Sequence, residues 1–229
     1  MLSSSFSIMG LYLSDCDFIS CEKESETSSV FQVSLQGRRC LMKVYHTIVK
    51  QPWHPTYREI DPFLCESAAY VRLKERGLCQ QGVVPDFYGV IEQIDPLQWQ
   101  PHLNRFVKDK LPPNAIVLEL IPNLKQIDLA TYTEDRAAAL LQIIHQIHDA
   151  GVCHGDPYPR NMVIQPETGR VLWIDFDRAQ TVSEGSITDR QRDWMEDDTL
   201  MASELLDLLA KDVKLGKLVH AWGYYYHYS

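Results

Sequence analysis

The segment His154-Gly155-Asp156-Pro157-Tyr158-Pro159-Arg160-Asn161 constrains this chain more than any other. It sets an acid, a guanidinium and an amide in a turn between two regular elements. Upstream, Thr133 can cap a helix, with Glu134 and Asp135 in the electropositive first turn. Ala137, Leu140, Leu141, Ile144 and Ile147 then recur at helical spacing, and Gly151 stops the helix. Downstream, residues 161–165 and 170–175 predict two short strands that turn at residues 166–169. A second acidic element, Ile174-Asp175-Phe176-Asp177, lies at the end of that hairpin.

The first half reads differently. Strand-like runs cover residues 17–21, 30–36 and 39–46, and the last two form a hairpin at Gly37. Asp61 is a good N-cap for a helix with Pro62 in its first position, and Gly77 lies just past the end. Strands follow at 86–94 and 115–120, separated by a proline-containing loop over 95–114. Near the end, Thr188 and Gln191 form a capping box. The last helix there takes its apolar face from Trp194, Met201, Leu205, Leu208 and Leu209. The expectation is an α+β chain with a strand-rich lobe over 1–121, a linker near 121–125 and a helix-rich lobe over 122–229. Clefts between lobes are favoured ligand sites.

Composition narrows the classes. With 229 residues and 45% hydrophobic content, the chain can bury a core without staples and is not wholesale disordered. A formal net charge of −9 disfavours non-specific binding to nucleic acid or anionic membrane, and Arg38-Arg39 is too small a basic pair to argue otherwise. The first seven residues lack the basic and apolar regions of a signal peptide, and no stretch approaches the ~20 apolar residues of a membrane helix. The six cysteines are scattered without a Cys-x-x-Cys pair, which points to a reduced, cytoplasmic protein, with Cys16–Cys21 left open as a bridge. His145, His148 and His154 are not at a recognised zinc spacing, and His154 reads as a brace for the loop it begins.

His-x-Asp followed five residues later by Asn, then Asp-Phe-x after a short hairpin, resembles the protein-kinase-like superfamily. The His-Gly-Asp form looks more like aminoglycoside phosphotransferases, small atypical kinases and fungal kinase-like proteins than like His-Arg-Asp protein kinases. The resemblance runs from about Phe18 to Val213 and is sharpest at the motifs. It implies a bilobal fold with an antiparallel-sheet N-lobe carrying one helix and a shortened helical C-lobe. It also implies ATP with Mg2+ as cofactors. Asp175 and Asn161 would hold the metal. Asp156 would orient or accept the proton of an attacking hydroxyl, and Arg160 would stabilise the transferring group or bind substrate. In Cys40-Leu41-Met42-Lys43-Val44-Tyr45, alternation places Lys43 on one face with Leu41 and Tyr45, and a lysine on an apolar face needs an anionic partner. Glu66, grouped with Phe63 and Tyr70 at helical spacing, is the candidate. This resembles the kinase lysine–glutamate pair that positions the α- and β-phosphates. By the same resemblance Leu118 backs the adenine pocket, Leu41 covers it, and backbone groups of Glu119 and Ile121 face the adenine edge.

Departures from the pattern matter. Residues 22–29 correspond to the glycine-rich phosphate loop but contain no glycine. Ser28 and Ser29 are the substitutes for its donors, or belong to a polar hairpin. Glu22, Glu24 and Glu26 would repel phosphates if they pointed inward. Asp177 replaces the last glycine of Asp-Phe-Gly. Gly155 removes the arginine that senses a phosphorylated loop, and residues 178–187 are short, so no phosphorylation switch is expected. The aromatic stretch 222–228 is expected to cover core, with a partner-binding tail as the alternative. Two functions follow. One is a phosphotransferase passing the γ-phosphoryl group of ATP to a hydroxyl of a small molecule or a dedicated protein. The other is a catalytically weak nucleotide-binding pseudokinase acting as an interaction module.

Overall fold

A computed structural model describes residues 11–182, 185 and 187–226. The expectation for the first seven residues, and parts of those for 178–187 and 222–228, lie outside the described residues. The chain divides into two compact units, Met1–Ser67 with Asp86–Leu120, and Ala68–Pro85 with Ile121–Ser229.

The first unit is built on a five-stranded antiparallel sheet in the order β1-β2-β3-β5-β4. Its strands are β1 (Cys16–Glu24), β2 (Ser28–Leu35), β3 (Arg38–Tyr45), β4 (Phe87–Ile91) and β5 (Asn114–Glu119). Gly37 has φ +84°, which lets the β2–β3 hairpin close tightly. Residues paired across strands share a face. Phe31 pairs with Met42, and Val33 with Cys40. These residues, with Val44, Ala115 and Val117, form one buried core together with Ile94, Leu103 and Phe106. The last three come from the β4–β5 connection. The proline-containing loop expected there is thus a folded cover with 3-10 turns at Pro96–Trp99 and Asn104–Phe106. Helix α1 (Pro62–Glu75) starts in this unit, where Asp61 Oδ1 accepts from Phe63 N at 3.0 Å and Oδ2 from Ile48 N at 3.4 Å.

The second unit holds the end of α1, α2 (Leu78–Gln81), β6 (Lys125–Gln126), α3 (Glu134–Asp149), β7 (Val152–Cys153), β8 (Met162–Gln165), β9 (Arg170–Trp173), β10 (Gln180–Thr181), α4 (Asp189–Leu215) and α5 (Trp222–Tyr226). The strand-rich unit ends at Leu120, and residues 68–85 group with this second unit. The cause is a set of long-range hydrogen bonds. Arg72 Nη1 donates to Val182 O at 3.1 Å, Arg170 Nε donates to Gly82 O at 2.6 Å, and Trp173 N donates to Val83 O at 3.0 Å. Both predicted caps of the long helices form, Thr133 Oγ1 accepting from Arg136 N and Thr188 pairing reciprocally with Gln191. Tyr225 OH donates to Ile127 O at 2.7 Å, which fastens the described part of the aromatic tail. Asp212 is fully buried and accepts from the amides of Val219, His220 and Ala221, each at 2.9 Å, so it folds the chain back after α4.

All six cysteines are free. Cys16 and Cys21 lie on the same strand, which separates them by about 3.3 Å per residue, well beyond the roughly 4.4–6.8 Å Cα spacing of a disulfide. No helix among the described residues is long and apolar enough to cross a membrane.

Candidate active site

In the first unit, Lys43 is 8% exposed and Glu66 is 1% exposed, and Lys43 Nζ lies 3.0 Å from Glu66 Oε2. The alternation of β3 and the turn of α1 bring them together. Tyr45, on the same face of β3, donates its hydroxyl to Glu66 Oε2 as well. Its ring centroid lies 5.1 Å from Lys43 Nζ. The carboxylate thus takes a cation and a phenol at once. The alternation of β3 places Tyr45 on the lysine face, but only the fold shows it as a partner of Glu66.

The other candidates of this unit separate by register. Leu41 pairs with Leu118, and Lys43 with Ile116, so these four side chains share a face. Ser28 pairs with Tyr45 and stands on that face; Ser29 pairs with Val44 and stands on the opposite one. The two serines therefore differ in what their side chains can face, because neighbouring residues of a pleated strand point to opposite sides. Glu24 pairs with Ser29, so it too is turned away from Lys43. Glu22 takes a hydrogen bond from Ser20. The amide of Glu119 donates to Asp86 O at 2.8 Å, and its carboxylate accepts from Asp86 N at 3.0 Å, so both groups are committed to the start of β4. Ile121 falls in the second unit.

In the second unit, α3 ends and β7 pairs with β10, which delivers the chain to His154. His154 is fully buried, with its ring 5.1 Å from Trp173 and 4.6 Å from Phe176. Its Nε2 lies 3.0 Å from the carbonyl oxygen of Ile174; a carbonyl only accepts, so Nε2 carries the hydrogen. From the other strand, Ile174 N donates to Asn161 O at 3.0 Å. The two motifs are thus cross-braced, and Asp175 is placed beside the loop that carries Asp156 and Asn161.

Asp156 is 5% exposed. Arg160 Nη2 reaches its two oxygens at 2.8 and 3.0 Å, and Asn161 Nδ2 reaches Oδ2 at 2.6 Å. Arg178, 67% exposed, lies 3.8 Å away. Asp175 has φ +66°, a left-handed backbone that costs a non-glycine residue energy and that a tight structure must enforce. Here the anchor is the next residue, Phe176, fully buried and packed edge-on against Tyr70 at 5.3 Å.

One further residue organises this loop. Asp198, on the buried stripe of α4, accepts from His154 N at 2.7 Å, from Gly155 N at 3.1 Å and from Cys153 Sγ at 3.2 Å. His148 Nε2 lies 3.5 Å from it. Burial pushes its pKa up, but the neighbouring rings of His148 and His154 and the amide of Gly155 outweigh that, and its carboxyl is held below the ordinary range. Burial beside Asp198 pushes the Cys153 thiol up, so it stays a donor. An available signal was the placement of Asp198 between Met195 and Ala202 at helical spacing, an acid on an apolar stripe.

Gly155 itself is demanded by contact. It has φ +74°, and a Cβ there would stand 2.7 Å from Arg178 O. The His-Gly-Asp form therefore reflects a close backbone approach by the segment after Asp175.

A magnesium ion needs oxygen ligands and keeps several from phosphates and water, so one or two protein ligands suffice. Among the described residues no group of three or more His, Cys, Asp or Glu could hold a metal. Asp175 with Asn161 fits that sparse pattern. The Asn161 nitrogen is engaged by Asp156, which leaves oxygen as the end of the amide suited to a cation.

The kinase PK-1 of the Cydia pomonella granulovirus superposes with a TM-score of 0.51 over 88% of this chain and 71% of its own, at 10% sequence identity. The fold is protein-kinase-like. Residues 118–198 match the lipopolysaccharide kinase (Kdo/WaaP) family. That stretch runs from the end of β5 to Asp198 and includes the loop with Asp156 and Asn161 and the hairpin ending at Asp175. The expected fold class, an antiparallel sheet with one helix followed by a helical region, agrees with that superposition and with the observed sheet.

Proposed function

We propose that this protein is an ATP- and magnesium-dependent phosphotransferase that passes the γ-phosphoryl group to a hydroxyl of a small molecule or a dedicated protein. The observation that carries the reading is the buried Lys43–Glu66 pair, 3.0 Å apart. Buried ion pairs seldom repay their desolvation, and well-packed apolar residues of the same volume often serve stability as well or better. Such a pair is most simply retained for its charge. The match of residues 118–198 to a kinase family supports the same class of chemistry.

The roles follow from each residue's surroundings. Glu66, also fixed by Tyr45, holds the Lys43 ammonium toward the phosphates. Asp156 orients the acceptor hydroxyl, its carboxylate fixed by Arg160 and Asn161. As the acceptor oxygen bonds to the γ-phosphorus, the bond to the bridging oxygen breaks, a nucleoside diphosphate leaves, and the hydroxyl proton passes to Asp156. Asp175 and Asn161 would hold magnesium, which neutralises phosphate charge. Asp198 and His154 position the loop and touch none of the reacting atoms.

The test is transfer of labelled γ-phosphate in the presence of a panel of hydroxyl-bearing metabolites and proteins, for wild type and Asp156→Asn. Loss of a general base costs about 10²–10⁴ in rate. That loss, with nucleotide binding retained, is the expected result. Turnover unchanged by the substitution overturns the assignment. Binding of nucleotide without turnover for any acceptor favours the interaction-module reading, which the glycine-free turn also favours.

A further inference from the structure

The turn between β1 and β2 has no glycine, yet it is ordered. Ser25 N donates to Ser28 O at 2.8 Å, and Ser25 Oγ accepts from the amides of Thr27 at 3.3 Å and Ser28 at 3.1 Å. Two distant residues then fasten the turn. His46, just past β3, donates its amide to Thr27 O at 3.0 Å. Arg105 reaches it from the β4–β5 connection. Its Nη2 donates to Ser25 O at 2.9 Å, its Nη1 reaches Ser29 Oγ at 3.5 Å, and Nη1 lies 3.7 Å from Glu24 Oε2.

Arg105 is presented from a fixed base. Phe106, next to it, is 1% exposed and belongs to the core of this unit. The Phe106 ring stacks on His46 at 4.3 Å, and His46 Nδ1 meets Asp109 Oδ2 at 2.7 Å. The cover over the sheet and the turn at its edge are therefore one assembly.

We propose that Arg105 is a positioning residue for the nucleotide's phosphates: it holds the turn 25–28 in place and answers the charge of Glu24, which the register of β1 already turns away from Lys43. This rests on the phosphotransferase reading. In glycine-rich loops the backbone itself approaches the phosphates. Here a turn of bulkier residues must be held at a set distance, and the charge of the nearby carboxylate must be answered. A planar guanidinium does both, because its fork serves a carbonyl and a hydroxyl while its charge answers a carboxylate. The pairing of Glu24 with Ser29, and of Ser29 with Val44, puts all the groups Arg105 touches opposite the lysine face or in the turn. Arg105 thus favours a triphosphate over the bare nucleoside without touching either.

The experiment uses the full chain with Arg105→Ala, Arg105→Lys and the double variant Arg105→Ala/Glu24→Gln. Two readouts are taken: amide hydrogen exchange of residues 25–28, and the dissociation constants of MgATP and adenosine. A lost charge-assisted hydrogen bond predicts roughly tenfold faster exchange in the turn and roughly tenfold weaker MgATP binding for Arg105→Ala. Adenosine should bind as in wild type. Arg105→Lys should fall between, and Glu24→Gln in the Ala background should recover part of the MgATP loss while exchange stays fast. Equal losses for adenosine and MgATP, or unchanged exchange in the turn, overturn the proposal. A wild-type chain that fails to bind MgATP overturns the phosphotransferase reading and this role with it. A wild-type chain that binds it, with Arg105→Ala indistinguishable, overturns the role of Arg105 alone.

Discussion

Gly155 and Gly169 share a backbone conformation, φ +74° and +73°, and differ in what surrounds them. A Cβ on Gly155 would stand 2.7 Å from the carbonyl oxygen of Arg178, while one on Gly169 meets nothing within 4 Å. The left-handed backbone costs an alanine about 1 kcal/mol at either position. At Gly155 the contact is with main chain, which cannot swing aside, so overpacking adds about 2 kcal/mol. Gly169→Ala should therefore lose about 1 kcal/mol and Gly155→Ala about 3 kcal/mol. Urea denaturation of the two full-length variants measures the difference. At a slope of about 2 kcal/mol/M the midpoints should differ by about 1 M. Equal losses, within about 0.5 kcal/mol, would refute the close approach of residue 178 as the reason for glycine in this loop.

The Lys43–Glu66 pair makes a second prediction. Lys43→Met leaves a buried carboxylate uncompensated and should destabilise by about 3–5 kcal/mol. Lys43→Met/Glu66→Gln removes that charge and keeps an acceptor for Tyr45, so denaturation should place it near wild type while phosphoryl transfer is lost; a double variant as unstable as the single one would argue that the pair is structural. Acid stability tests Asp198 and Asp212. The amides of His220, Ala221 and Val219 together with the His220 side chain overcome the effect of burial and hold the Asp212 carboxyl below its usual range, as the partners of Asp198 do there. A carboxyl with a depressed folded pKa contributes stability above its unfolded value of about 3.9, and that contribution is lost as pH falls through the folded pKa. Urea midpoints should decline below about pH 4, and Asp212→Asn should flatten that decline; an unchanged slope would count against the assignment.

What the sequence made legible was local. The caps at Thr133 and Thr188 and the Gly37 hairpin depend on neighbours a few residues apart, and each forms as read. The motif spacing around Asp156, Asn161 and Asp175 was visible because a loop and a hairpin carry it. Long-range placement was less visible. Nothing in residues 68–85 announces that Arg170 and Trp173 will hold them. The connection that presents Arg105 lacks helical or strand period, since its short 3-10 turns bury Leu103 and Phe106 without repetition. Ser28 and Ser29 looked alike as types, and only the register of β2 against β3 separates them. Asp198 serves amides in a loop more than forty residues earlier, so its role becomes clear only in three dimensions.

The proposed nucleotide–metal site is tested most directly by thermal unfolding with and without MgATP, for wild type and Asp175→Ala. Ligand at about 100 times its dissociation constant adds about 2.7 kcal/mol. For a chain of this size that corresponds to a midpoint rise of roughly 5–10 °C. The account predicts such a rise in wild type, dependent on magnesium and lost in Asp175→Ala. An unchanged midpoint at millimolar MgATP, or an equal rise in the variant, would contradict it.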